Sequence, residues 1–148
     1  MTIYTSYYAK SKKIPEDIVR ISIAGKAPEY YTGIQYKALA PKYGFFMEWK
    51  KNHNNDFYIK HFYSEVLDNL SPKDVYNKLY ELSVGKDCVL LCYEKSGDFC
   101  HRHIVAKWLE DNLGINVVLA RPIFIIIAGI VIDFVATAAI NWTGRKQV

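Results

Sequence analysis

The run Cys88-Val-Leu-Leu-Cys-Tyr93 constrains this chain most, because six consecutive apolar residues suit a strand only where both faces of its sheet are covered. Such a strand is central, and it places the chain in the α/β class. Behind it, Lys95 to Asp98 contains Ser-Gly-Asp turn chemistry, with Asp98 able to cap a following helix. Ile104, Val105, Trp108, Leu109 and Leu113 then recur at three-to-four spacing, which predicts an amphipathic helix over Phe99 to Asn112, stopped by Gly114. Ile115 to Ala120 reads as a second buried strand. Strand, loop, helix and strand together predict a compact three-layer, Rossmann-like α/β domain with a mostly parallel sheet, over residues 1–120.

In open parallel sheets, ligands bind where loops leave the carboxyl ends of the strands, and a helix that starts there presents free amides and partial positive charge. Cys100, with His101 and Arg102 beside it in the expected first turn, has surroundings that favour a thiolate. The helical wheel turns His101 toward Val105 and Trp108, facing the protein, and leaves His103 in line with Lys107, facing water. The candidate catalytic set is therefore Cys100, His101 and Glu94, with Arg102 and Cys92 as ligand contacts.

Each residue taken alone has a plainer explanation. Cys88 and Cys92 in a buried strand behave as small inert hydrophobes, His101 as a satisfied core histidine, and Arg102 as a surface cation pairing with Asp98 or Glu94. Only their convergence at a strand-to-helix junction favours a site. Zinc is the rival: Cys92, Cys100, His101 and His103 supply ligands, but no closely spaced cysteine pair is present. Adjacent helical residues also diverge by about 100 degrees, which makes joint ligation by Cys100 and His101 awkward. No cofactor and no metal are expected. A Cys92–Cys100 disulfide can bridge the loop, but three cysteines without a secretory signal favour a reducing compartment.

The block Leu90-Leu-Cys-Tyr-Glu-Lys95, followed by Phe99-Cys-His-Arg-His103 and an apolar helix, resembles the signature of the domain of unknown function 488 family. It is most similar to a small subgroup that opens on a strand like Ile3-Tyr4-Thr5-Ser6, and the resemblance covers about residues 1–118. What it implies is a compact α/β domain with paired cysteine motifs near its carboxyl end. On this chain those motifs fall at Cys92, Glu94, Cys100, His101 and Arg102.

The remainder of the chain is less specific. At 148 residues, 51% of them hydrophobic, it is long enough for one proper core. The net charge of +4 is concentrated in the amino-terminal part, where a solvated lysine face explains it as well as a nucleic-acid partner does. Thr2 to Tyr8 reads as a first strand and Ile18 to Ile23 as a second. Lys26 to Tyr43 reads as an ordered loop whose Tyr30 and Tyr31 can stack on a base or sugar, although the plainer reading of either tyrosine is that it covers the sheet edge. Pro41 to His61 reads as a mobile flap and Phe57 to Leu70 as a helix. Ser71-Pro72 starts another helix that stops at Gly85. Neither a dinucleotide fingerprint nor a P-loop is present, so NAD and ATP of the usual kinds lose their main support.

Pro122 to Trp142 is an anomaly: 21 residues with Asp133 as their one charge, long enough for a membrane-spanning helix. A central Asp133 costs about 3 kcal/mol on insertion scales and the preceding strand leaves no linker, yet length and hydropathy favour a hydrophobic helix. Relative to the family this tail is a departure, as a fused or frameshifted end would be. The expectation is a cytoplasmic domain tethered to a membrane through residues 122–142. Its function is either that of a thiolate enzyme acting on a nucleotide or anionic small molecule, or that of a non-catalytic interaction module with a structural cysteine motif.

Overall fold

The computed structural model describes residues 1–119 and the backbone of 124–127 and 130–133. Five strands, β1 (Ile3–Tyr7), β2 (Val19–Ser22), β3 (Ile34–Gln35), β4 (Cys88–Cys92) and β5 (Val117–Leu119), form one parallel sheet in the order β3-β2-β4-β1-β5. Four helices, α1 (Tyr43–Asn52), α2 (Asn55–Glu65), α3 (Pro72–Leu82) and α4 (His101–Leu113), complete the α/β fold. Every residue of β4 is buried, as its unbroken apolar run requires. The register sets Ile3 beside Cys88 and Val117, and Ile21 beside Leu90 and Ile34.

The connections β1 to β2 and β2 to β3 step toward one edge of the sheet, whereas β3 to β4 and β4 to β5 step toward the other. Right-handed crossovers therefore put the two sets on opposite faces. The core divides accordingly. One cluster joins Ile3, Ile21, Ile23, Cys88 and Leu90 to buried residues of all four helices; the other gathers Tyr8, Ile14, Ala24, Val89 and Leu91. The three layers expected from sequence are thus unequal. The second face is covered by a 3₁₀ segment over Tyr8–Lys13 and by Tyr31. The short β1–β2 connection, rich in lysine, has neither the length nor the apolar stripe for a packed α-helix.

The segment read as a mobile flap is instead helical. Phe45, Phe46 and Trp49 in α1, and Tyr58 and Phe62 in α2, fall at three-to-four spacing and pack inward. Between them His53 takes a left-handed conformation (φ 51°), and the Asn54 side chain caps α2 by accepting from the Phe57 amide at 3.0 Å. The helix expected to reach Leu70 ends at Glu65, and Leu67 is buried in the 3₁₀ turn that follows. Helix α3 begins as predicted, with Ser71 accepting from the Asp74 amide and Pro72 in its first turn.

Over part of the hydrophobic tail, the expected helix is replaced by two antiparallel strands, β6 (Phe124–Ile127) and β7 (Ile130–Asp133), with Phe124 opposite Asp133. Phe-Ile-Ile-Ile and Ile-Val-Ile are strong strand formers, and β-branching outweighs the helical reading drawn from hydropathy. The rest of the 122–142 stretch lies outside the described residues. No helix among the described residues is long and apolar enough to cross a membrane.

Candidate functional site

Strands β2 and β4 are neighbours whose carboxyl-terminal loops leave for opposite faces, so a crevice opens between Ala24-Gly25-Lys26 and Cys92 to Cys100. The crevice is a cleft of about 550 Å³. Cys92, Glu94, Cys100 and His101 line one side, and aromatic rings from α1, α2 and the β4–α4 loop, including Tyr43, Trp49, Tyr58 and Phe99, line the other. The predicted catalytic residues and this cleft coincide. Most of the aromatic wall is hidden from the sequence because Tyr43, Trp49 and Tyr58 lie in the segment that reads as a flap. Helical spacing among Phe45, Trp49, Tyr58 and Phe62 is the signal that reveals it.

Cys100 does not sit in the first helical turn. It is the N-cap of α4, with an extended backbone (φ −154°, ψ 140°), and its side chain caps nothing. Asp98, expected in that role, precedes it by two residues. The extended conformation removes the premise that adjacent helical side chains diverge, and Cys100 and His101 converge. The sulfurs of Cys92 and Cys100 and one nitrogen of His101 all lie within 4.8 Å of one another. The three cysteines are free, so the Cys92–Cys100 disulfide is not formed.

His101 is 5% exposed and its orientation is fixed. Nε2 lies 2.9 Å from the carbonyl oxygen of Ile23, which accepts only, so Nε2 carries a proton and donates. Nδ1 is thereby turned toward the sulfurs, 3.7 Å from Cys92 and 4.0 Å from Cys100. Burial acts to raise the Cys100 thiol, but hydrogen bonds from Cys92 and His101, with the charge of His101, outweigh it and bring it down from 9.0 to about 6. The Cys92 thiol moves the opposite way, raised by its hydrogen bond with Cys100, by burial and by the charges of Cys100 and Glu94. The two sulfurs are thus driven in opposite directions, Cys100 toward the thiolate and Cys92 toward the thiol.

Cys92 donates to Glu94 Oε2 at 3.0 Å. Burial pushes the Glu94 carboxyl up, but hydrogen bonding with the Cys100–Cys92 pair and its own backbone amide, with the charge of His101, leaves it below the usual value. Glu94 is therefore an ionised acceptor, better suited to take a proton than to give one. Tyr58, buried beside these groups, is held protonated by burial and by the neighbouring negative charges of Cys100, Cys92 and Glu94.

Arg102 departs from expectation. It is completely buried, and its guanidinium donates to the carbonyl oxygens of Glu94 at 2.6 Å and Lys95 at 2.9 Å. It is not a surface cation, nor does it line the cleft; it fastens the β4–α4 loop to the helix. Among the described residues its Nε has no hydrogen-bond partner. His103 is half-buried and outside the cysteine cluster, with its pKa lowered by burial and by Arg102.

The two predicted ligand-binding tyrosines are not brought to this site. Tyr30 is 67% exposed. The Tyr31 hydroxyl lies 2.9 Å from the Arg20 carbonyl oxygen and 2.8 Å from that of Ile34, and its ring meets Tyr8 edge-on. Both belong to a separate depression on the opposite face of the sheet. Tyr31 covers that face, the plainer of its two explanations. Tyr93, which follows Cys92 directly, lines the cleft together with Tyr43 and Tyr58.

Neither the curated proteins nor the solved structures contain a match to the chain. A family model does match: DUF488-N3a, described as the active DUF488-N3 subclade, over residues 3–113. That span holds β1 to β4, all four helices and each of Cys92, Glu94, Cys100, His101 and Arg102, and the chain belongs to the DUF488 family.

Proposed function

We propose that the protein is an enzyme that uses the Cys100 thiolate on a small anionic ligand of nucleotide type. The observation that carries this reading is the orientation of His101, whose Nε2–H is committed to the Ile23 carbonyl so that Nδ1 faces Cys100 at the head of α4. That is the arrangement of a nucleophile, its base and the group that orients the base. Cys100 passes its proton to His101 Nδ1 and attacks an electrophilic carbon; the imidazolium returns the proton to the leaving group. Glu94, ionised, holds the Cys92 thiol in place.

The substrate class is supported by three features of the cleft. Its wall offers flat faces, Trp49 and Phe99 with ring centroids 5.6 Å apart, onto which a base can stack. Lys26 lines the cleft and supplies positive charge. The amino end of α4 adds the positive end of a helix dipole.

The structural alternative draws its strength from Arg102, which does fasten the loop, and the motif thus divides between adjacent residues. Replacing Cys100 with serine tests the division. We expect the Cys100→Ser variant to keep its thermal melting point and its binding of mononucleotides, measured by intrinsic tryptophan fluorescence, while it loses rapid alkylation. Loss of the fold with no ligand bound by the wild type would make the cysteine structural.

A further inference from the structure

We infer that Cys92, Cys100 and His101 form a three-ligand site for a soft divalent cation, zinc above all, with its fourth position open to the cleft. The inference goes beyond the thiolate chemistry proposed above and does not depend on it. Bound metal and free nucleophile exclude one another at Cys100, so the cation acts as a reversible block.

Geometry carries the argument. With Zn–S near 2.3 Å and Zn–N near 2.0–2.1 Å, tetrahedral ligation separates a sulfur from a nitrogen by about 3.5 Å and two sulfurs by about 3.8 Å. The sulfur-to-Nδ1 distances are 3.7 and 4.0 Å, and the three atoms lie within 4.8 Å of one another. Closing around a cation asks for shifts of a fraction of an ångström from side chains already in place. The pair comes together only because Cys100 is extended at the N-cap.

The surroundings agree. A metal-bound histidine characteristically donates its other ring N–H to a carbonyl or carboxylate, which fixes the tautomer and strengthens the ligand. His101 does so to Ile23. Two sulfurs and an imidazole select zinc over magnesium or calcium, which want oxygen. All three ligands are nearly inaccessible to water except through the cleft they line. Glu94 stands next to Cys92, 3.0 Å from its sulfur, outside the three-ligand set. Cys92 must give up its proton on binding, so affinity falls with acid.

The test uses the full chain, stripped with a chelator under reducing conditions and titrated with zinc alone against a chromophoric competitor. We expect one equivalent to bind at micromolar concentration or tighter, to raise the melting temperature, and to suppress alkylation of Cys100. Cobalt substituted in the wild type, which needs no variant to fold, is expected to give a thiolate charge-transfer band and the intense visible absorption of a four-coordinate site. The Cys92→Ser, Cys100→Ser and His101→Gln variants are each expected to lose at least about tenfold in affinity, with Cys88→Ser unchanged. Absence of stoichiometric binding by the wild type, or binding that survives loss of both Cys92 and Cys100, overturns the inference. Rapid alkylation of Cys100 without any zinc binding would sink the metal site and leave the thiolate reading standing; tight zinc binding with an unreactive apo Cys100 would do the reverse.

Discussion

The two ends of β4 put the same side chain to opposite uses. At its amino end Cys88 is completely buried, and burial followed by the charge of Asp87 pushes its thiol up to about 12. At its carboxyl end Cys92 meets Cys100 across the β4–α4 loop, where His101 and the helix terminus favour a thiolate. Burial is nearly equal at both ends, so it does not decide reactivity. What differs is a partner: a histidine oriented by a carbonyl at one end, and at the other a carboxylate whose effect, with burial, outweighs the opposing charge of the amino terminus.

The largest contrast is in reactivity toward an alkylating agent. Six pKa units between Cys100 and Cys88 correspond to about five orders of magnitude in thiolate content at about pH 7. The weaker nucleophilicity of a low-pKa thiolate gives back about half of that, and the inaccessibility of Cys88 widens the gap again. In metal-free protein Cys100 is expected to react at least about a thousandfold faster than Cys88. Comparable rates, read by mass spectrometry of the peptides, break the comparison.

Next comes the loop that holds the reactive end together. Arg102→Ala leaves the Glu94 and Lys95 carbonyls without their donors inside the protein and is expected to cost about 3 kcal/mol in urea unfolding. A cost near zero would mean that the loop does not need the guanidinium. His101→Gln keeps a side chain able to reach the Ile23 carbonyl but removes the base, and the Cys100 pKa is expected to rise toward 9. Its alkylation at about pH 7 then slows by about three- to sixfold, the loss of thiolate being partly offset by the greater nucleophilicity of a higher-pKa sulfur. An unchanged rate would assign the thiolate to the helix terminus alone.

Last comes a pH dependence of stability with opposite signs at the two ends. Cys100 has a folded pKa below its unfolded value of 9.0, so its ionisation stabilises the fold fully above about pH 9, and the contribution is lost as pH falls toward about 6. Cys88 has a folded pKa above its unfolded value; its contribution is complete below about pH 9 and is lost as pH rises toward about 12. The stability difference between wild type and Cys100→Ser should therefore shrink on acidification, and that for Cys88→Ser on alkalinisation. A pair of flat differences removes the electrostatic distinction.

Much of this architecture is legible in residue pattern. The all-apolar Cys88–Cys92 run, the Ser71-Pro72 start, and the stop at Gly114 each act through local physics that needs no partner, and each stands where the pattern puts it. Position at the carboxyl end of β4 also locates Cys100 and His101. What escapes the pattern depends on contacts between distant segments. Helix α1 hides behind tyrosine, lysine and asparagine until Phe45 is seen sharing one core with Tyr58 and Phe62 of α2. The inward turn of Arg102 requires two loop carbonyls that only the folded chain supplies, and the lock on His101 requires Ile23, 78 residues away. The tail misleads because hydropathy scores Ile and Val for a membrane helix while their β-branching favours the strands β6 and β7.

The most direct test of the thiolate at the head of α4 is the pH profile of alkylation at each cysteine of the full, metal-free chain, followed peptide by peptide. The account predicts that Cys100 reacts with an apparent pKa near 6 while Cys88 and Cys92 stay silent below about pH 9. A Cys100 that is unreactive across that range, or that titrates no lower than a free thiol at about 8.5, contradicts it.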